Sequence, residues 1–321
     1  LPGHYTSPVN LAATERFDLL DHFDVHFYTH PFFLVKTRYP TIRTAHGRMV
    51  GWDFLHSIRL NFKIMIPFTR TVVAAGCLSC ISMSSWANDA SSSSIDVSGQ
   101  LTAVSKYVSR GLTNAPENED LALQASLTLG YGNFYAGYWG STLGYSYRDL
   151  QQGRQYSTDK MEHDFIVGHV SDFKDLTWDL WNATYYYPGG DSTTSNELGL
   201  RVSKNVNDQA TLTFGVSTYL YDVVYMNQGD TYVSLNYAHQ LSDKLTGNLA
   251  VAGSYFNDSG KYEGQEFLDT QTDTAFRFAS VGLDYAVAPN VNVFSDFILG
   301  GYDRSKIKQK NQAVWGLRYS F

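Results

Sequence analysis

A strict two-residue alternation of apolar and polar side chains, repeated along the chain beyond residue 96, is the feature that most constrains its fold. The clearest case is Ala210 to Leu220. Leu212, Phe214, Val216 and Leu220 alternate there with Thr211, Thr213, Gly215 and Ser217. Thr231 to Tyr237, Leu245 to Tyr255 and Leu121 to Leu129 repeat the pattern. Successive side chains of a strand point to opposite faces, so each segment reads as a strand with one apolar and one polar side. Twelve strands are predicted, at 97–110, 121–130, 134–142, 161–170, 176–187, 196–204, 210–221, 230–240, 245–256, 274–286, 291–302 and 312–321. Most are near the length of about ten residues with which a tilted strand crosses a hydrocarbon core.

The connections have a rhythm of their own. Short ones contain Gly132-Asn133, Ser171–Asp175, Asn205–Gln209, Ser242–Lys244 and Ala288–Asn290. Long polar ones cover 111–120, 143–160, 188–195, 222–229, 257–273 and 303–311. A soluble sandwich explains the alternation but not this regularity. An even strand count with alternating short and long turns is the pattern of an outer-membrane barrel, short turns facing the periplasm and long loops facing outside. Hydrocarbon offers no hydrogen-bond partners, so such a sheet cannot leave an edge unpaired and strand twelve must meet strand one. The expected fold is all-β: a closed antiparallel up-and-down transmembrane β-barrel.

Composition agrees. Charged residues are 17%, aromatics 15% and mean hydropathy is −0.25. Those figures exclude a bundle of spanning helices, which needs several apolar runs of about 20 residues. Residues 88–321 hold 26 acidic and 16 basic side chains, a net of −10, so no nucleic-acid partner is expected. Both cysteines, Cys77 and Cys80, precede residue 88, leaving no disulfide or thiolate chemistry beyond it.

Ahead of the strands, Lys63 and Arg70 lead into the short apolar core Val72–Met83, and Ser85-Trp86-Ala87 supplies small residues at −3 and −1 of a cut before Asn88. Residues 65–87 therefore read as a signal peptide. A lipoprotein cut at Cys77 is the weaker alternative, because Ala74 stands where leucine is usual. Residues 1–64 show no period, and their histidines (His22, His26 and His30 among them) lack a coherent domain around them. They are expected to be over-called upstream sequence with no folded domain, translation starting at Met65 or Met49. Residues 88–96 read as a flexible lead-in and 97–321 as the barrel.

With the apolar face toward lipid, the other face lines the interior. Parity assigns Lys106, Gln124, Asp179, Glu197, Arg201, Asn236, Asn248, Asp284, Asn292, Asp296 and Arg318 to the lumen. A basic side chain on the lipid face near midplane costs about 2–4 kcal/mol, so this agreement of charge with the polar face is a consistency check. Arg277 is the exception: it shares parity with Val281 and Leu283, and either snorkels or sits at a bulge. The inner charges either pair across strands, Asp296 with Arg318 for example, or line a water path and filter ions. Tyr107, Tyr131, Tyr219, Tyr237, Tyr255, Tyr285, Trp315 and Tyr319 lie near strand ends and read as aromatic girdles.

The chain also carries a resemblance. Gly316-Leu317-Arg318-Tyr319-Ser320-Phe321 resembles the carboxy-terminal signal read by the outer-membrane assembly machinery, with Gly316, Tyr319 and Phe321 as its matching residues and Val314 where a polar residue is usual. Tyr107-Val108-Ser109-Arg110-Gly111, Leu123-Gln124-Ala125-Ser126, Phe134-Tyr135-Ala136-Gly137-Tyr138-Trp139 and Tyr185-Tyr186-Tyr187-Pro188-Gly189 resemble the TorF-type porin family. The resemblance covers roughly residues 101–321. It implies a barrel in the bacterial outer membrane, where its partners would be lipid and lipopolysaccharide.

No residue set suggests catalysis, a metal or another cofactor. A rim hydrolase would need His163, but its neighbour Asp164 points to the opposite face. Loop acids Glu117, Glu119 and Asp120 read as solvated charge rather than a calcium site. The leading expectation is a channel for small hydrophilic solutes or ions. Its rival is a non-conducting barrel serving as adhesin, receptor or anchor through the loops at 143–160 and 257–273.

Overall fold

A computed structural model of the protein describes residues 94–113, 119–153, 159–265 and 267–321. The readings of 1–64 and 65–87, and most of the lead-in, lie outside them. Twelve strands run in order: β1 (Asp96–Val104), β2 (Ala122–Tyr131), β3 (Phe134–Thr142), β4 (Met161–Phe173), β5 (Leu176–Tyr186), β6 (Ser195–Asn207), β7 (Ala210–Tyr219), β8 (Thr231–Gln240), β9 (Leu245–Tyr255), β10 (Thr274–Ala288), β11 (Val291–Gly300) and β12 (Gln312–Ser320). Each is antiparallel to its chain neighbours, and β1 pairs with β12 to close the barrel. The seam runs from Gln100 opposite Ser320 to Val104 opposite Gly316. Gly99 and Phe321 extend it by exchanging both backbone hydrogen bonds, at 2.9 and 3.0 Å. No edge is left, which is what a sheet in hydrocarbon requires.

Alternation decides which way the side chains point. Leu127, Phe165, Leu180, Phe214, Leu235, Leu249, Leu283, Phe297 and Leu317 are all exposed on the outer surface. Between them on the same strands, Thr128, Asp164, Asp179, Ser217, Asn248, Asp284 and Asp296 are buried inside. A soluble protein of this size would bury those leucines and phenylalanines, and an outer face of this extent marks a surface meant for lipid. Lys204 is the charged residue on the outward parity of β6; it lies at the short-turn end and reaches Asp175 at 2.7 Å.

Short hairpins hold one end. Gly132, with φ +57°, and Asn133 link β2 to β3, and Lys174, with φ +58°, and Asp175 link β4 to β5. The loop of 143–160 contains a short helix, α1 (Tyr147–Gln152), capped by the Ser146 hydroxyl at one end and by left-handed Gly153 at the other.

Three expectations are corrected. First, β1 ends at Val104 rather than residue 110, and the chain from Ser105 turns into the barrel. Second, Tyr107 and Tyr219 are buried inside rather than set in an outer girdle, whereas Tyr131, Tyr255, Tyr285, Trp315 and Tyr319 are exposed on the outside and Tyr237 is half-buried. Third, Arg318 pairs with Asp284, two strands away, rather than with Asp296. The Arg277 exception resolves as a bulge. The pairing of β9 with β10 slips between Phe276 and Phe278, so Phe276 stays exposed while Arg277 and Phe278 are both buried.

Candidate functional site

The interior is built in two tiers. Toward the short turns, two ion-paired groups face the lumen. Asp179 on β5 stands directly opposite Arg201 on β6 and receives its Nε at 2.8 Å and Nη2 at 2.7 Å; the Tyr135 hydroxyl donates to its other oxygen at 3.0 Å. Across the barrel, Arg318 on β12 donates to Asp284 on β10 at 3.1 Å, and Asn292 on the strand between them donates to the same carboxylate. Arg318 also lies 4.9 Å over the Phe294 ring. Arg201 converges two N–H groups on one Asp179 oxygen, and Arg318 gives one to Asp284; both are charge-assisted hydrogen bonds. Asp179→Ala leaves Arg201 without its acid, and because Arg201 is partly hydrated the expected loss is about 1–3 kcal/mol, read from unfolding of the barrel in urea with lipid vesicles.

Toward the long loops, β4 and β6 bring three acids inward: Glu162, Asp164 and Glu197, all nearly or wholly buried. Three like charges here would repel one another, and their counter-charge comes from residues 105–113. This segment begins where Ser105 bonds to Trp315 at 2.8 Å and ends where Thr113 bonds twice to Gln309, both at 2.8 Å. Between those anchors it acts as an inner strap across the lumen. Tyr107 donates to Glu162 on β4 at 2.8 Å, and Arg110 reaches Glu197 on β6 at 2.6 Å. The Arg110 guanidinium lies 4.7 Å over Tyr232 and 5.7 Å over Tyr219. Burial works against its charge, but Glu197 and the neighbouring tyrosines outweigh that and hold its pKa above the ordinary arginine range.

The local backbone is made for this crossing. Arg110 and Gly111 are consecutive left-handed residues, at φ +50° and +74°. At Gly111 a Cβ would meet the Phe278 Cβ at 2.9 Å, so only glycine lets the strap pass that wall. A left-handed arginine is a strained choice that persists only because its surroundings fix it. Val104, Val108, Phe278, Phe294, Ile298 and Val314 form an apolar cluster that seats the strap against the β10–β12 wall.

Above the strap the long loops and the outer ends of the strands border a half-open cavity of about 690 Å³. Tyrosines dominate its lining, among them Tyr145, Tyr147, Tyr187 and Tyr225. Tyr147 stacks on Tyr225 at 5.3 Å and meets Tyr187 edge-on at 4.9 Å. The Tyr187 hydroxyl donates to Glu162 at 2.8 Å, beside the Tyr107 bond to the same carboxylate. On the opposite wall Arg304 joins Asp230 and lies 3.9 Å from Glu263.

The sequence-predicted residues fall as follows. Asp179, Glu197, Arg201, Asp284, Asn292 and Arg318 form the ion-paired groups described. Gln124 lies opposite Ser141 and reaches its hydroxyl at 3.5 Å, and Asn236 donates to Ser234 at 3.4 Å. Asn248 is buried, with neither amide atom bonded to protein, and Asp296 is buried with its carboxylate over Gly282. Lys106 lies past the end of β1, half-buried at the start of the strap. At the seam Gly316 packs against Phe294, Tyr319 is exposed, and the Phe321 ring covers Gly99. Glu162, Asp164 and Arg277 are inward charges outside the predicted set. Glu162 was reachable, since it shares the parity of Asp164 and Ile166.

His163 bonds through Nδ1 to the Tyr138 hydroxyl at 2.8 Å, on the opposite side of β4 from buried Asp164. His169 packs edge-on against Phe134 at 4.7 Å, and His239 bonds to Tyr237 at 2.8 Å. None of the three stands beside a nucleophile and an acid. Among the described residues no cluster of three His, Cys, Asp or Glu side chains is placed to hold a metal, and Glu119 and Asp120 are exposed. Glu117 lies outside the described residues.

A family model described as "Bacterial protein of unknown function (Gcw_chp)" matches residues 88–287. No curated protein sequence matches. Among solved structures, the KdgM porin aligns with a TM-score of 0.46 at 10% identity over 70% of this chain and 99% of its own. The NanC porin gives 0.41 and 12% over 70% and 99%. The outer membrane phospholipase A from Escherichia coli gives 0.38 and 15% over 70% and 89%. At these scores neither a channel nor a hydrolase is read from the likeness.

Proposed function

We propose that this chain, which belongs to the bacterial Gcw_chp family, is an outer-membrane channel of narrow bore for small hydrophilic solutes or ions. A single observation carries the reading: within an apolar outer surface, paired charges, amides and hydroxyls share the lumen with the apolar cluster behind the strap. Pairing offsets part of the desolvation cost of these charges, and a polar lining of this kind offers water and small solutes a path. Twelve strands lie between the eight that side chains fill and the sixteen that leave an open channel. The strap at 105–113 narrows the lumen further. Residues 65–87 would serve as the export signal with 88–96 as lead-in, 1–64 standing upstream of the start. The C-terminal strand ending at Phe321 would be the address read by the assembly machinery, and the outer face would meet lipid and lipopolysaccharide. The TorF-type resemblance adds to this reading. No catalytic residue is assigned.

The inner strap and the apolar cluster behind it favour a second reading, in which the barrel is sealed and works through its loops. Planar-bilayer recording separates the two. Discrete current steps from protein whose gel mobility shifts on boiling support the channel. Absence of steps from equally folded protein supports the sealed barrel.

A further inference from the structure

The lumenal arginines Arg110, Arg201, Arg304 and Arg318 each lie within salt-bridge distance of a carboxylate. Among the described residues, Arg277 does not. It is only 4% exposed and lines the cavity above the strap. Its hydrogen bonds go to two main-chain oxygens, that of Tyr302 at 2.9 Å and that of Arg110 at 3.3 Å. A guanidinium carries five N–H donors, so much of this group is left for another acceptor. The acids of the surrounding walls are committed elsewhere. Glu162 accepts from Tyr107 and Tyr187, and Asp230 pairs with Arg304. Asp303 accepts from the Ile307 backbone at 2.8 Å and from Gln309 at 2.9 Å.

The strand pays a local irregularity to place this charge. Without the bulge between Phe276 and Phe278, Arg277 would fall on the outward parity of β10. Arg277 lies 5.7 Å over the Phe256 ring and is attracted by Asp303 only from beyond ion-pair distance. A buried cation with no carboxylate in contact is costly, and an anion arriving in the cavity would relieve that cost. The same cavity is walled by flat rings, Tyr145, Tyr147, Tyr187, Tyr225 and Phe267. Aromatic rings prefer offset or edge-on aromatic neighbours, and a volume of about 690 Å³ suits a compact organic ligand.

We propose that this cavity binds a small aromatic carboxylate, with the carboxylate on the Arg277 guanidinium and the ring among the tyrosines. The proposal deepens the channel reading and rests on it for the meaning of the site as a solute's way in. It runs against the cation preference that a net of −10 suggests, because the local charge at Arg277, and not the total, faces the ligand.

Titration calorimetry of the full chain refolded in detergent tests this without current flow, so failure here and failure of conduction are separable. The probes are 4-hydroxybenzoate, phenol as the ring without charge, acetate as the charge without ring, and glucuronate as a non-aromatic ring acid. The expected result is binding of 4-hydroxybenzoate at least tenfold tighter than any of the other three. Arg277→Gln is expected to weaken it by about ten- to a hundredfold, the range for a hydrogen-bonded charge. Should that variant lose the mobility shift of a folded barrel, Arg277→Lys applies, with a smaller loss because it keeps the charge and drops the fork. If neither variant folds, the ranking of the four probes decides. The proposal is overturned if 4-hydroxybenzoate does not bind, if phenol, acetate or glucuronate binds as well, or if a folded Arg277 variant binds it unchanged.

Discussion

Arg110→Ala raises single-channel conductance several-fold while the barrel stays closed: this is the expected result if the strap throttles the lumen. The residue spans the interior from the chain beyond β1 to Glu197 on β6, and Glu197 is wholly buried. Removing one partner of a buried ion pair costs about 3–5 kcal/mol, because the remaining charge is stranded. Most of that penalty should fall on the strap and little on the sheet, since the twelve ladders do not include residues 105–113. Glu197 retains the Tyr185 and Ser217 hydroxyls as donors, at 2.7 Å each, and becomes reachable by water once the strap moves. Glu197→Gln should open the lumen less, since an amide still accepts from Arg110. Unchanged conductance in a folded Arg110→Ala protein would mean that the strap does not set the bore.

The second large effect is expected on the outer surface. Leu235 is exposed near the middle of β8, and its neighbour Asn236 faces inward. Leu235→Arg should lower the stability of the vesicle-embedded barrel by about 2–4 kcal/mol, the cost of a basic side chain at the bilayer midplane. Asn236→Arg should cost much less, since its charge enters a hydrated lumen. Urea unfolding in the presence of vesicles measures both. Equal losses at the two positions would remove the distinction between a lipid face and a water face.

Most of the barrel was legible because its physics is periodic. Alternation such as Leu212-Thr213-Phe214 fixes the two faces whatever the neighbouring strands do. Turn residues such as Gly132-Asn133 fix where the chain reverses. The inward placement of Asp179, Arg201, Asp284 and Arg318 followed from parity alone. What parity does not carry is choice of partner. Arg318 finds Asp284 two strands away, because barrel curvature brings inward side chains of next-nearest strands together. Nor does it carry any departure from the strand. Residues 105–110 follow β1 with no glycine or proline to mark its end, yet tertiary demand pulls them inward, where Arg110 meets Glu197 of β6 and Tyr107 meets Glu162 of β4. Arg110-Gly111 was the one local hint, since glycine after a charged residue permits the left-handed turn the strap makes. Tyr107 and Tyr219 were misplaced for a related reason: near a strand end, a tyrosine suits a membrane interface and a polar lumen equally well.

The central claim is that one side of each strand meets lipid and the other meets water. Single cysteines placed in turn along Thr231–Gln240 test it most directly, in a chain whose own Cys77 and Cys80 are replaced by serine. After reconstitution in vesicles, a nitroxide on each cysteine is exposed to oxygen, which concentrates in lipid, and to a water-soluble nickel chelate. Labels at 233, 235 and 237 should favour oxygen, and labels at 232, 234 and 236 should favour the chelate or be shielded from both. Equal response at all positions, or the opposite alternation, would contradict the barrel as a membrane-spanning structure.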